Sequence, residues 1–289
     1  MLHPMRTLLY VPGNKPNMIR KAPNFGADIL VLDLEDAVPA AEKAAAREIV
    51  ASILNAGDLK HHKVMVRINS LESQEYHLDL AAVVVPGLIG LRIPKVESPE
   101  QIRTLDNDVT ALERQRGLKE GSIVVMPILE SPVGVLRAYD IATASPRIIA
   151  LTLGAEDLTA SMGTQRTRDG MELQHARGHV VLCAAAAKVG AIDTVFPNII
   201  DEEGLVKETL HIKQMGFTGK SAIHPKQIAP IHAAFAPTEE DVANARKIVN
   251  AFKAAEADGS GAITVDGRMV DLPVVIRARR ILALAGEQL

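Results

Sequence analysis

The sequence predicts an α/β fold, a (β/α)8 barrel with a C-terminal helical extension, and three observations predict it. Eight short β-rich runs recur along the chain, separated by stretches of helical composition. Several of these runs are apolar on both faces, as strands of a parallel sheet covered by helices must be. Residues able to do chemistry stand at the C-terminal ends of the runs, where barrels of this kind keep their active sites. An open doubly wound sheet is the alternative that the same alternation allows.

The runs are TLLYVPG (7–13), DILVLDLED (28–36), VMVRIN (64–69), GLRIPK (90–95), IVVMPILE (123–130), IIALTLGAED (148–157), AIDTVFPN (191–198) and KSAIHP (220–225). Between them lie helical segments such as PAAEKAAAREIVASIL (39–54) and LQHARGHVVLCAAAAKVG (173–190). The interiors of the runs are nearly free of charge, with Asp33, Arg92 and Asp193 as the exceptions. Residues 1–225 therefore read as the barrel and catalytic core. Residues 226–289 read as the last barrel helix and an extension that covers an active site. In that extension PTEEDVANARKIVNAFKAAEA is a well-marked helix, with Thr238 as N-cap and acids in its first turn. The glycine-rich stretch DGSGAITVDGRMVDLP and a final helix, VVIRARRILALAG, follow.

Composition narrows the function. In 289 residues, 32 Lys and Arg face 35 Asp and Glu for a net charge of −3, which argues against nucleic acid or an anionic membrane as main partner. Aromatics make up 3% with no Trp, too few for stacking platforms on single strands. The N-terminus MLHPMRTLLYVPG lacks a long apolar core and no segment approaches 18 apolar residues, so a soluble, cytoplasmic protein is expected. One cysteine, Cys183, excludes an intrachain disulfide and a thiolate zinc site, and its apolar helical setting marks it as a core residue. His175 and His179 lie four apart but lack the glutamate of a zinc protease motif, so they read as ordinary helix residues. His224 stands at a run's end, as a rim residue or as a satisfied buried histidine.

The run IIALTLGAEDL (148–158) ends on two adjacent acids, Glu156 and Asp157, which repel each other unless a cation or donors compensate them. Glu130 ends the preceding run, so it and one of this pair would be neighbours on the barrel rim. A hard divalent cation such as Mg2+ takes one or two carboxylates plus substrate oxygens and water, which suits that arrangement. Physics alone leaves Glu156 and Asp157 both open as the second ligand. Gly154 and Ala155 before them would leave backbone N–H groups free to cradle a substrate carboxylate. Arg67 ends the third run, as a fork for a carboxylate or oxyanion or as a salt bridge to a rim acid. Lys15, Arg20 and Lys21 follow the first run and suit a phosphorylated ligand.

Together RTLLYVPGN, ADILVLDLEDAV, VRINS, LRIPKVESP, MPILESPVG, LTLGAEDLTASMG, GFTGKSAIHPKQI and GRMVDLP, in this order, resemble the citrate lyase β-subunit and malyl-CoA lyase family of CoA-ester lyases. The resemblance covers essentially the whole chain. It implies a (β/α)8 barrel assembled as homotrimers or hexamers, Mg2+ as cofactor, and reversible cleavage of a 3-hydroxyacyl-CoA into acetyl-CoA and a 2-oxo acid. It further implies Glu130 and Asp157 as the metal ligands, Glu130 also touching substrate, and Arg67 as a substrate contact. Gly154, Ala155, Pro197 and Asn198 join the substrate-binding set, and Tyr10 and Lys21 fall where the family holds the CoA moiety. Asp271 of MVDLP matches the acid that the family supplies from the C-terminal extension, expected here to act in another protomer. Asn17 departs from the pattern, since some relatives carry a lysine there. Malyl, methylmalyl, citramalyl and citryl thioesters all stay open as substrates. A β component of a multi-subunit citrate lyase, a thioesterase and a catalytically silent scaffold are the rival readings.

Overall fold

The computed structural model describes residues 4–257 and 262–287. They divide into two compact units, with the boundary between Ala234 and Phe235. In the first unit, eight strands close into a barrel: β1 (Thr7–Pro12), β2 (Ile29–Asp33), β3 (Val64–Arg67), β4 (Gly90–Ile93), β5 (Val124–Leu129), β6 (Ala150–Leu153), β7 (Gly190–Asp193) and β8 (Gly219–Ala222). They lie in sequence order, parallel throughout, and β1 pairs with β8 to seal the circle. The expected (β/α)8 barrel is thus present and the open sheet is excluded.

Each expected run supplies one strand, yet every strand stops before its run does. The overshoot has a use. Glu35, Lys95, Glu130 and the Glu156–Asp157 pair come after the last ladder residue of their strands, free of the pleat. β2 is buried at all five positions because one face fills the barrel and the other meets the helices. The barrel is filled by Leu8, Ile29, Val31, Met65, Met126, Ala150 and Ile192, with Met5 in the same cluster. Gly219 admits Met5, since a Cβ there would collide with the Met5 carbonyl. Two residues further along β2, β3 and β6 the same inward face turns polar, with Asp33, Arg67 and Thr152 above Val31, Met65 and Ala150.

Helices on the outside include Lys43–Ala56, Pro99–Gln115, Gln174–Ala186 and Glu202–Met215. The second of these starts with a capping box, Ser98 accepting from Gln101 and the Gln101 side chain reaching back. Among the described residues no helix is long and apolar enough to cross a membrane.

The second unit carries its own core of Val249, Phe252, Val270, Val275 and Leu282, between the helices Glu239–Ala257 and Leu272–Leu284. Thr238 caps the first helix as expected, its hydroxyl accepting from Asp241 N at 3.0 Å. The glycine-rich stretch holds a β-hairpin, β9 (Ile263–Val265) and β10 (Arg268–Val270). Its two-residue turn, Asp266–Gly267, has φ of 49° and 75°, the left-handed pair that Asp-Gly accepts most readily. Part of that stretch, residues 258–261, lies outside the described residues.

Candidate active site

A cavity of about 360 Å³ opens among the C-terminal ends of the barrel strands. Tyr10, Asp33, Arg67, Glu130, Thr152 and Ser221 come from the inward faces, and Gly154 to Asp157 from the loop and helix start after β6. Arg67 anchors one wall. It grips Asp33 with both prongs, Nε at 2.7 Å from Oδ1 and the second nitrogen at 2.6 Å from Oδ2. Its remaining nitrogen lies 2.9 Å from Glu35 and 3.3 Å from Asp36. The guanidinium also faces the Tyr10 ring, 5.0 Å from its centre.

Glu130 lines the same cavity. Lys95 N–H donates to its Oε1 at 2.7 Å, and Lys95 reaches that position through a left-handed backbone, φ 55°, which is unusual outside glycine. Gly154 packs flat against the other oxygen: a Cβ there would stand 2.7 Å from Oε2. The Glu130 carboxyl is therefore oriented by a backbone donor on one side and a bare glycine on the other. The Lys95 ammonium lies 3.2 Å from Glu35.

Burial pushes the Glu130 carboxyl up to about 8, and the nearby Glu35 and Asp157 charges add to the shift. Burial likewise raises Glu35 to about 7; Arg67 opposes this and Asp36 reinforces it. These acids are raised because charge of one sign has been gathered in a dry place. Among the described residues no group of three or more His, Cys, Asp or Glu forms a ready-made metal cage. Mg2+ does not require one, since it completes its shell with substrate oxygens and water. A buried carboxyl held open between Lys95 and Gly154, with a second acid beside it, fits such a cation.

The family model described as HpcH/HpaI aldolase/citrate lyase matches residues 6–225. The chain belongs to this family. Citrate lyase subunit beta of Leuconostoc mesenteroides subsp. cremoris is 44% identical over 280 residues, covering 97% of this chain and 93% of that protein. Mitochondrial citramalyl-CoA lyase of Mus musculus is 36% identical over 294 residues, covering 98% and 86%. The crystal structure of the protein CitE from Mycobacterium tuberculosis with magnesium, acetoacetate and coenzyme A superposes with a TM-score of 0.82 at 32% identity, covering 99% of this chain and 100% of that one.

The cavity gathers Tyr10, Arg67, Glu130, Gly154, Ala155 and Asp157 from the set that the sequence singles out. Lys21 ends the helix Pro16–Lys21 and is exposed, with Arg20 beside it; neither lines the cavity. Pro197 and Asn198 are exposed beyond β7 and also stand outside the cavity wall, Asn198 accepting from Ile200 N at 3.3 Å in a turn. Asp271 belongs to the second unit, where it caps the helix Leu272–Leu284 by accepting from Val274 N at 3.3 Å. The expected cradle of free amides at Gly154 and Ala155 is corrected: Gly154 N–H donates to Leu129 O at 3.0 Å and Ala155 N–H to Thr194 Oγ1 at 3.1 Å. Both donors are already engaged because the chain must turn sharply from β6 into the helix Ala155–Ser161. His224 caps a turn, its Nδ1 accepting from Lys226 N at 3.2 Å, and Cys183 is buried in its helix.

Glu35, Lys95 and Asp33 also form part of this centre, through Arg67 and Glu130. Their signal was present in the sequence. Asp33 and Arg67 are charges on inward positions of neighbouring strands, and the register sets them side by side.

Proposed function

We propose that the protein is a Mg2+-dependent CoA-ester lyase of the carbon–carbon bond, cleaving a 3-hydroxyacyl-CoA of citramalyl or malyl type to acetyl-CoA and a 2-oxo acid. The observation that carries this is the pair of acids at the barrel mouth, Glu130 and Asp157, with Glu130 raised to about 8 and its carboxyl fixed by Lys95 and Gly154. These two acids would hold Mg2+, which when bound supplies Lewis acidity toward the hydroxyl and carboxylate of the 2-oxo-acid half.

The chain's own residues do the rest. As the hydroxyl gives its proton to solvent water at the open cavity mouth, the carbon–carbon electron pair moves to the thioester half, which leaves as an enolate needing preorganised positive charge. Arg67 provides that charge from the cavity wall, its planar fork held rigid by Asp33 and its third nitrogen turned to the more weakly ionised Glu35. Asp271, from another protomer of a homotrimer or hexamer, protonates the enolate carbon, or removes that proton in the reverse direction. Tyr10 and Lys21 serve the CoA moiety, Lys21 by charge from the protein surface, with Pro197 and Asn198 as further contacts. The cytoplasm is the compartment proposed for this chemistry.

Incubation of the purified chain with citramalyl-CoA, malyl-CoA and citryl-CoA tests the reading. Acetyl-CoA plus a 2-oxo acid is the expected product pair, lost in EDTA and restored by Mg2+ or Mn2+. Free CoA plus the intact hydroxy acid would mean thioester hydrolysis instead. Mixing Asp271→Ala with Arg67→Ala protein, under verified subunit exchange, should return part of the activity through sites that hold both residues. No return would put Asp271 in its own chain or outside the reaction. The 44% identity to a citrate lyase subunit beta favours a second reading, action on an acyl-carrier thioester within a larger enzyme. Equal efficiency with a truncated pantetheine ester would support that reading over a CoA site.

A further inference from the structure

The two acids that follow β6 are not treated alike by the fold. Glu156 and Asp157 are consecutive, stand in the first turn of the helix Ala155–Ser161, and both line the cavity. Glu156 is held, its Oε1 accepting from Arg166 Nη1 at 2.9 Å. Of the two, only Glu156 has an ion-pair partner among the described residues, while the Asp157 charge bears on Glu130.

Arg166 is itself fixed from several sides. From Ser161 to Asp169 every residue except Arg166 is exposed, and the Arg166 side chain keeps only 11% of its surface. The nitrogen that serves Glu156 also donates to the Val195 carbonyl at 2.8 Å, and Nη2 lies 3.4 Å from Glu208. Glu208 is anchored in turn by Lys220 at 2.6 Å and Arg177 at 3.0 Å. The backbone beside Arg166 is tied as well. Thr167 donates to Glu172 from its N–H at 3.1 Å and from its hydroxyl at 2.6 Å. A planar fork pinned by a carbonyl and an anchored acid presents its next hydrogen bond in one direction, and Glu156 takes it. Arg166 does not line the cavity, so it reaches the centre only through that acid.

An unrestrained Glu156 would compete with its neighbour, since Mg2+ takes carboxylate oxygens of either residue type. We propose that Arg166 is a positioning residue: by engaging Glu156 it leaves Asp157 as the one acid of the pair available to Mg2+ beside Glu130. This rests on the metal site of the lyase reading and adds what fixes the composition of that site. Glu156 is 59% exposed, so the ion pair biases it by no more than about fivefold. Loss of Arg166 also takes a positive charge from beside the rim. The two effects together come to about tenfold in the affinity of a freed Glu156 for a cation.

Mg2+ affinity of the metal-free protein, measured by calorimetry, reads this without turnover. Asp157→Asn alone should lower the affinity at least about tenfold, because the available acid is gone while Glu156 stays engaged. Asp157→Asn combined with Arg166→Gln should regain about tenfold over Asp157→Asn, whereas Arg166→Lys, which keeps the charge, should regain little. Adding Glu156→Gln should abolish the gain. A loop residue of purely structural value would not improve binding on its removal. No gain in the folded double variant, or a gain that survives Glu156→Gln, would overturn the proposal. If the double variant does not fold, Glu156→Gln alone decides. Affinity within about twofold of the wild type is expected there, and a loss of about tenfold would make Glu156 a ligand and overturn the assignment. If this pattern holds while no ester is cleaved, the lyase reading fails and the Arg166 assignment stands. A wild type that binds no Mg2+ overturns both.

Discussion

On the outer face of β7 and β8, Asp193, Lys220, Arg177 and Glu208 form a buried cluster in which two acids meet two bases. Lys220 Nζ reaches Asp193 at 2.8 Å, Glu208 at 2.6 Å and the Thr194 carbonyl at 2.9 Å. Arg177 takes both oxygens of Asp193, at 2.9 and 3.0 Å. Burial works against ionisation there, yet Lys220 and Arg177 hold Asp193 below its ordinary range, and Lys220 does the same for Glu208. At the barrel mouth burial works against ionisation too, but it wins, and Glu130 and Glu35 rise to about 8 and 7. The same residue types in the same protein thus behave in opposite ways. What differs is whether the partners are all supplied by the chain. A closed cluster holds structure together; an unclosed one is available to bind something.

Breaking the closed cluster should give the largest effect on stability. Asp193→Ala leaves Lys220 and Arg177 with Glu208 alone, and removing one partner from a buried ion pair costs about 3–5 kcal/mol. A chemical denaturation series should show that loss, whereas Glu130→Gln, which removes a strained charge, should cost little or stabilise. Next comes catalysis. Arg67→Ala should lower kcat by on the order of 10²–10³, the usual penalty for losing an oxyanion partner, and near-normal turnover would remove Arg67 from the reaction.

The pH dependences should run in opposite directions. Asp193 has a depressed pKa, so its stabilisation is present above the unfolded value and disappears as acid protonates it. Glu130 and Glu35 have raised values, so without metal the folded state loses stability as pH climbs from the ordinary value of 4.5 to about 7 for Glu35 and about 8 for Glu130, and the loss is complete above that. Melting curves of metal-free protein should therefore decline over that window, and Glu130→Gln should flatten the decline. The smallest effect belongs to the exposed surface. Lys21→Ala should weaken CoA-ester binding only a few-fold, with a reduced dependence on salt, because an exposed charge is screened.

The contrast also explains what could be read from the sequence. Eight runs with apolar faces made the barrel legible, and the acids after them marked its mouth, because a parallel sheet buried on both sides tolerates charge mainly at strand ends. Asp33, Arg92 and Asp193 were visible as charges inside strands, but their fates diverged. Sequence parity sets Asp33 and Arg92 inward and Asp193 outward only once the register is known. The role of Lys95 was not legible, since its contribution to Glu130 comes from a backbone N–H in a left-handed conformation that lysine does not advertise. The engaged amides of Gly154 and Ala155 were hidden because their partners, Leu129 O at the end of β5 and Thr194 Oγ1 just after β7, are distant in sequence. The hairpin at Asp266–Gly267 did carry its signature, an Asp-Gly pair between short apolar runs.

If the mouth is an unclosed cluster completed by a cation, Mg2+ binding and proton release must be the same event. The direct measurement is a calorimetric titration of the metal-free protein with Mg2+ between pH 6 and 9, in buffers of different ionisation enthalpy, with Glu130→Gln as the control. The account predicts affinity that rises roughly tenfold per pH unit up to about 8 and then levels, with close to one proton released below that pH. Glu130→Gln should bind weakly and release none. Mg2+ binding that is independent of pH across this range, or equally tight in Glu130→Gln, would contradict it.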